Sequence, residues 1–196
     1  LREHREGFEG IGEVTSWVRD LEAAWRDEQA SKRVYVRPED AMWSIERFFA
    51  APPELVWDYV TSPARRPKWQ AGTTAVIEDS PAGRRGAGTT NHCMHGKDAI
   101  VEEVLDWRPF EYWTSRFQMP MPGIPKMTTS DAFEPVPGGT IVRTTIARLR
   151  SAKERAAVEP LVPMVEEMVR AGLDALEAIL ADEMAARTSA ALEVRE

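Results

Sequence analysis

One cysteine, Cys93, in 196 residues leaves no disulfide to form within the chain and no multi-cysteine zinc site to build. No apolar run approaches the roughly 20 residues that span a bilayer, and no apolar segment follows a basic start. Neither a membrane span nor a secretory signal is expected, and a cytoplasmic location is. Basic charge is scarce as well: 25 Lys and Arg stand against 32 Asp and Glu, a net charge of −7. Residues 1–40 carry 7 basic and 10 acidic side chains, 41–150 carry 13 and 12, and 151–196 carry 5 and 10. Without a basic stripe a phosphate backbone finds little to bind, so no nucleic-acid partner is expected. The chain begins at Leu1 rather than Met, which points to a trimmed chain or the tail of a longer polypeptide whose N-terminal domain is a candidate partner.

Tryptophan, by contrast, is plentiful: seven residues whose rings need a core or a ligand to pack on. From Val14 to Glu28 the positions Val14, Trp17, Val18, Leu21 and Trp25 recur at helical spacing, predicting an amphipathic helix that needs a partner surface. Residues 1–40 read as a helical arm and linker, 41–187 as the folded domain and 188–196 as a flexible tail. Residues 42–50 alternate as a strand. Pro52-Pro53-Glu54 then opens a short helix, and a second short turn leads from Pro63 to Trp69. Strand-like runs follow at about 73–79, 88–95, 98–107, 110–118, 127–134 and 139–149, parted by Gly, Pro, Asp or Asn at hairpin spacing. Ser151 and Glu154 form a capping-box pattern. The helical period that follows carries Leu161, Val165, Met168, Leu173, Leu176 and Leu180, with a kink or a restart at Pro160 and Pro163.

This order predicts an α+β fold: a curved antiparallel sheet of about seven strands gripping one long C-terminal helix, with two short helices. Space between sheet and helix not filled by side chains becomes a pocket. The runs Phe49-Ala50-Ala51-Pro52-Pro53-Glu54-Leu55-Val56-Trp57 and Pro63-Ala64-Arg65-Arg66-Pro67-Lys68-Trp69 resemble the opening of the START-like superfamily, which includes polyketide cyclases, lipid-transfer domains and birch-pollen-allergen-like proteins. The resemblance covers roughly residues 42–185 and implies a helix-grip fold with a deep ligand cavity. It does not fix an activity, because members range from enzymes to carriers and sensors. The runs Asn91-His92-Cys93-Met94-His95-Gly96-Lys97 and Asp106-Trp107-Arg108-Pro109-Phe110, with the Gly12-Glu13-Val14 helix, are similar to START-like domains that follow a nucleotide-cyclase-like domain.

Alternation places Trp43, Ile45, Arg47 and Phe49 on the inner face of the first strand. On 98–107 the more apolar set is Val101, Glu103, Leu105 and Trp107. Arg47 and Glu103 are thus expected either as polar anchors in the cavity or at edges where both reach water. Trp43, Ile45, Arg47, His92, Glu103, Trp107, Trp113, Phe117, Met119, Met121, Met168 and Leu176 make up the expected ligand-binding set. His92 and His95, three apart on a strand, point to opposite faces and cannot chelate one ion, so one faces the cavity and the other solvent, and no metal or other cofactor is expected. Asp131 and Arg143 read as a cross-strand pair on the outer face. Gly83-Arg84-Arg85-Gly86-Ala87-Gly88 lacks a Gly-Lys-Ser/Thr ending and reads as a turn. The loop 118–127, with three prolines among Met119, Met121, Ile124 and Met127, suits a lid over the cavity mouth. No nucleophile elbow or paired-carboxylate spacing is legible, and Cys93 reads as a small buried hydrophobe.

Three functions stay open on this reading. The first is binding of a small, mostly apolar ligand, as carrier or sensor. The second is a polyketide cyclase- or dehydratase-like enzyme in which Arg47 orients a carbonyl and His92 or Glu103 transfers protons. The third is a regulatory or interaction module, a homodimer or the partner of an N-terminal domain, linked through the helix at 14–28.

Overall fold

The computed structural model describes residues 14–24 and 32–193, with side chains through residue 190. The chain divides into two compact units, one ending at Val34 and one beginning at Tyr35. In the first unit residues 14–24 form helix α1, with Val14, Trp17, Val18 and Leu21 along one face; Trp25 lies outside the described residues. No helix among the described residues is long and apolar enough to cross a membrane.

The second unit runs β1 (Ala41–Phe49), α2 (Pro53–Thr61), β2 (Ala75–Asp79), β3 (Thr90–His95), β4 (Asp98–Arg108), β5 (Tyr112–Gln118), β6 (Met127–Val136), β7 (Gly139–Ala147), α3 (Ala152–Val158) and α4 (Val162–Glu193). All seven strands pair antiparallel in the order β1-β7-β6-β5-β4-β3-β2, so β1 closes back on the last hairpin while β2 to β7 follow as a meander. The α+β architecture expected from the sequence is present. Pro53 starts α2 where helical N–H groups lack partners in any case. Ser151 and Glu154 close a reciprocal capping box on α3. Of the two arrangements open at Pro160 and Pro163, the chain adopts the restart: α3 ends at Val158, a 3₁₀ turn spans Glu159–Leu161, and α4 begins at Val162. α4 continues to Glu193, past Arg187 where fraying is expected.

Two apolar clusters fill most of the space between sheet and helix. The larger joins Phe49, Val56, Trp57, Val104, Phe133, Leu176 and Leu180 with their neighbours. The smaller joins Met119, Met127, Ile146 and Val158. In the larger cluster Trp57 stands edge-on to Trp107 and Phe133, with ring centroids 4.9 and 5.0 Å apart, a geometry that aromatic quadrupoles favour. On the opposite face of the sheet Thr114, Ser130 and Thr145 are wholly buried. The segment before β1 covers them: Val36 N–H donates to Ser130 Oγ (2.9 Å), and Thr145 Oγ1 donates to the Val36 carbonyl (3.0 Å).

Candidate functional site in the sheet and helix cavity

A cavity of about 190 Å³ lies between the sheet and α4, its walls drawn from both apolar clusters. Val165, Met168, Val169, Gly172 and Leu173 supply the helical wall at the i, i+3, i+4, i+7, i+8 spacing of one face. Trp43, Trp69, Trp113 and Phe117 supply aromatic wall. Gly172 allows the turn at Arg66–Lys68 and Trp69 to approach α4, since a Cβ there would sit 3.3 Å from the Trp69 carbonyl oxygen. The Trp69 indole N–H is anchored in turn on the Tyr59 carbonyl at 2.9 Å.

One wall is ionic. Arg66 reaches inward from its turn and donates to Glu102 at 2.6 Å, with both side chains below 10% exposure. Asn91 Nδ2 and Ser115 Oγ donate to the same carboxylate at 3.1 and 3.2 Å, and Arg66 Nε donates to Gln70 Oε1 at 3.1 Å. The Arg66 guanidinium also lies over the Trp113 ring, 5.6 Å from its centroid. Burial pulls the Arg66 value down, but the adjoining Glu102 more than offsets this and the value rises. Burial pushes the Cys93 thiol up to about 11, which keeps it protonated and inert near neutral pH and fits the structural role expected for it.

Asp131 is the second carboxylate in the wall. Burial raises it from an ordinary 3.8 to about 6, against the lowering effect of Thr144, whose hydroxyl donates to Oδ1 at 2.5 Å. It is half-buried and lines the cavity. Trp113, its cross-strand partner, also lowers it, although the indole Nε1 makes no hydrogen bond of regular geometry. His95 Nε2 is likewise buried without a partner.

Of the residues expected at the site, Trp43, Trp113, Phe117, Met119 and Met168 line the cavity. Seven others do not. Ile45 and Leu176 are consumed by the solid core, and Trp107 packs there between Trp57 and Trp113. Arg47 shares the inner face of β1 but swings to α4, pairing with Asp174 at 2.6 Å and Glu177 at 2.7 Å. Glu103 points outward to Arg116, because a bulge between Val104 and Asp106 reverses the alternation that Trp107 sets. The inward set is therefore Ile100, Glu102 and Val104 before the bulge and Trp107 after it.

His92 lies on the outer face between Ile77 and Val101, and His95 is the histidine that lines the cavity. Met121 is exposed while Met119 is buried: β5 ends at Gln118, and the loop breaks the alternation that would keep residues two apart on one face. The expected Asp131–Arg143 pair is also absent. Asp131 faces inward, and Arg143 pairs with Glu46 and Glu134 on the outer face.

Arg66, Trp69 and Gln70 escaped the sequence reading because a short turn has no period to read. The adjacent arginines divide their work, Arg65 bridging Asp58 and Glu183 on the surface while Arg66 turns in. Among the described residues no group of three His, Cys, Asp or Glu side chains could hold a metal ion.

Many solved structures share the fold, among them the following three. The di-domain ARO/CYC StfQ from the steffimycin biosynthetic pathway matches at TM-score 0.58 and 9% identity, over 73% of this chain and 51% of that one. CalU16 from Micromonospora echinospora matches at 0.52 and 22%, over 72% and 76%. Protein MLL2253 from Mesorhizobium loti matches at 0.54 and 18%, over 69% and 96%. A search of curated protein sequences finds no match. The family model described as polyketide cyclase/dehydrase and lipid transport matches residues 42–181, the span that builds both sheet and helical wall. With the helix-grip architecture and the cavity, that match makes the chain a member of the polyketide cyclase/dehydrase and lipid-transport family.

Proposed function

We propose that the domain binds a small, mostly apolar ligand between sheet and α4, as a carrier or sensor. The observation that carries this reading is the cavity itself: about 190 Å³ left open between sheet and helix, walled by tryptophan, phenylalanine and methionine. An apolar cavity of about 150 Å³ holds benzene, so there is room here for an aromatic or short aliphatic body. Met119, at the head of the 118–127 loop, sits in the wall, where a flexible thioether adapts to guests of different outline. The loop acts as the lid. The enzyme reading built on Arg47, His92 and Glu103 is not supported, because those side chains meet at no common point.

Native mass spectrometry of the purified chain, followed by titration with the apolar dye N-phenyl-1-naphthylamine, tests the reading. Uptake at one dye per chain with quenching of tryptophan emission is expected. The variant Val169→Trp, which fills the cavity from α4, should weaken uptake at least tenfold. Absence of both a retained small molecule and dye uptake would overturn the proposal.

A further inference from the structure

The charges in the cavity wall do not cancel. Arg66 carries the one guanidinium there, and Glu102 takes it at 2.6 Å with both groups buried. Asp131 is left over. Among the described residues it forms no ion pair and its Oδ1 accepts from the Thr144 hydroxyl, while the Trp113 indole and the Arg66 charge lower it without reaching regular hydrogen-bond or ion-pair geometry. The groups around it come from every surrounding element: Trp113 on β5, Thr144 on β7, Glu102 on β4, Cys93 and His95 on β3, and Arg66 from the turn before β2. α4 brings only uncharged residues to the wall. An ionised carboxylate in a poorly solvated site without a counter-ion is unfavourable unless something cationic completes it.

The rest of the wall suits such a cation. Trp43, Trp69, Trp113 and Phe117 surround the same cavity, and aromatic faces attract ammonium groups most strongly when both are shielded from water. We propose that the ligand is an organic amine, bound with its protonated nitrogen on Asp131 and its apolar body between the tryptophan rings and α4. The inference rests on the cavity-binding reading above and narrows it. An anionic guest such as a fatty acid meets an uncompensated negative charge here and is excluded. Because burial holds Asp131 near 6, the preference for the amine grows as pH rises through that value and fades below it.

Isothermal titration calorimetry of the full chain with three probes of one outline separates charge from shape: 1-naphthylmethylamine, 1-naphthylmethanol and 1-naphthoate. At pH 7.5 the amine should bind at least tenfold tighter than the alcohol, and the carboxylate weakest of the three. At pH 5 the amine's advantage over the alcohol should shrink at least threefold. Asp131→Asn should abolish that advantage, so that amine and alcohol bind that variant alike. Alcohol or carboxylate binding as tightly as the amine would overturn the proposal and leave the cavity reading standing, whereas failure of all three would overturn both. An advantage that survives in Asp131→Asn would also overturn it. Should that variant fail to fold, the pH dependence in the unmodified chain decides alone.

Discussion

Asp131 and Glu102 are both carboxylates in the same wall, yet removing their charge has opposite consequences. Asp131 titrates near 6 in the folded chain and near 3.8 ordinarily, so the native state holds that proton more tightly than the unfolded state does. Between those values folding takes up a proton. Stability therefore falls as pH rises across that window, and the whole loss is present above it. Two units correspond to a ceiling of about 3 kcal/mol, which water in the cavity reduces. Asp131→Asn should accordingly stabilise the unliganded chain by about 1–2 kcal/mol at pH 8 and by nothing measurable at pH 4, where aspartic acid and asparagine are equivalent guests for the Thr144 hydroxyl. Glu102→Gln leaves the Arg66 guanidinium buried without its partner, and a loss of about 3–5 kcal/mol is expected at neutral pH. Urea unfolding of both variants across pH checks the contrast. A destabilised Asp131→Asn at pH 8 would mean that the carboxylate has a cationic partner in the free protein.

At the scale of elements, strand order and helix positions were legible because each follows a period or a punctuation mark. The hairpin signals give the meander, and Ser151 with Glu154 marks the start of α3. Which polar residues face the cavity was much less legible, and β4 shows why. The more apolar alternating set, Val101, Glu103, Leu105 and Trp107, has the inward Trp107 right but runs across a bulge that reads as nothing in the sequence, so it puts Glu103 on the wrong face. The same missing residue of phase hid Glu102, Ile100 and their neighbours in the wall. On β1 the parity was right, but alternation cannot tell a residue at the cavity from one that swings to Asp174.

Another element-scale constraint is equally silent in the sequence. A Cβ on Gly139, at the start of β7, would lie 2.0 Å from the Phe49 carbonyl oxygen, which is backbone and cannot move aside alone. Gly139→Ala should force β1 and β7 apart at that end and cost about 2–4 kcal/mol in urea unfolding. Gly83, with no atom near its Cβ position, meets no such contact. Equal stability of Gly139→Ala and the parent chain would show that the β1–β7 end is more pliable than its geometry implies.

Across the whole molecule, the boundary that matters for stability lies at Tyr35, several residues before the first strand. Tyr35 packs its ring on Tyr112 at 4.9 Å, Val36 is buried, and the Val36 backbone exchanges hydrogen bonds with Ser130 and Thr145 on the sheet face away from the cavity. The Arg148 N–H donates to the Asp40 carbonyl at 2.9 Å, tying the end of the same segment to the residue just after β7. Two N-terminal truncations therefore separate arm from strap. A chain beginning at Tyr35 keeps every one of these contacts and should unfold in urea within about 0.5 kcal/mol of the intact protein. A chain beginning at Ala41 loses Val36 from the apolar surface and two hydrogen bonds to fully buried hydroxyls, which together are worth about 2–4 kcal/mol. Light scattering on the same samples tests the arm itself. The Val14, Trp17, Val18 and Leu21 face of α1 predicts that the intact chain self-associates and that the chain from Tyr35 is monomeric. Equal stability of the two truncations would remove the strap from the fold, and equal mass of the intact and Tyr35 chains would remove α1 from any association.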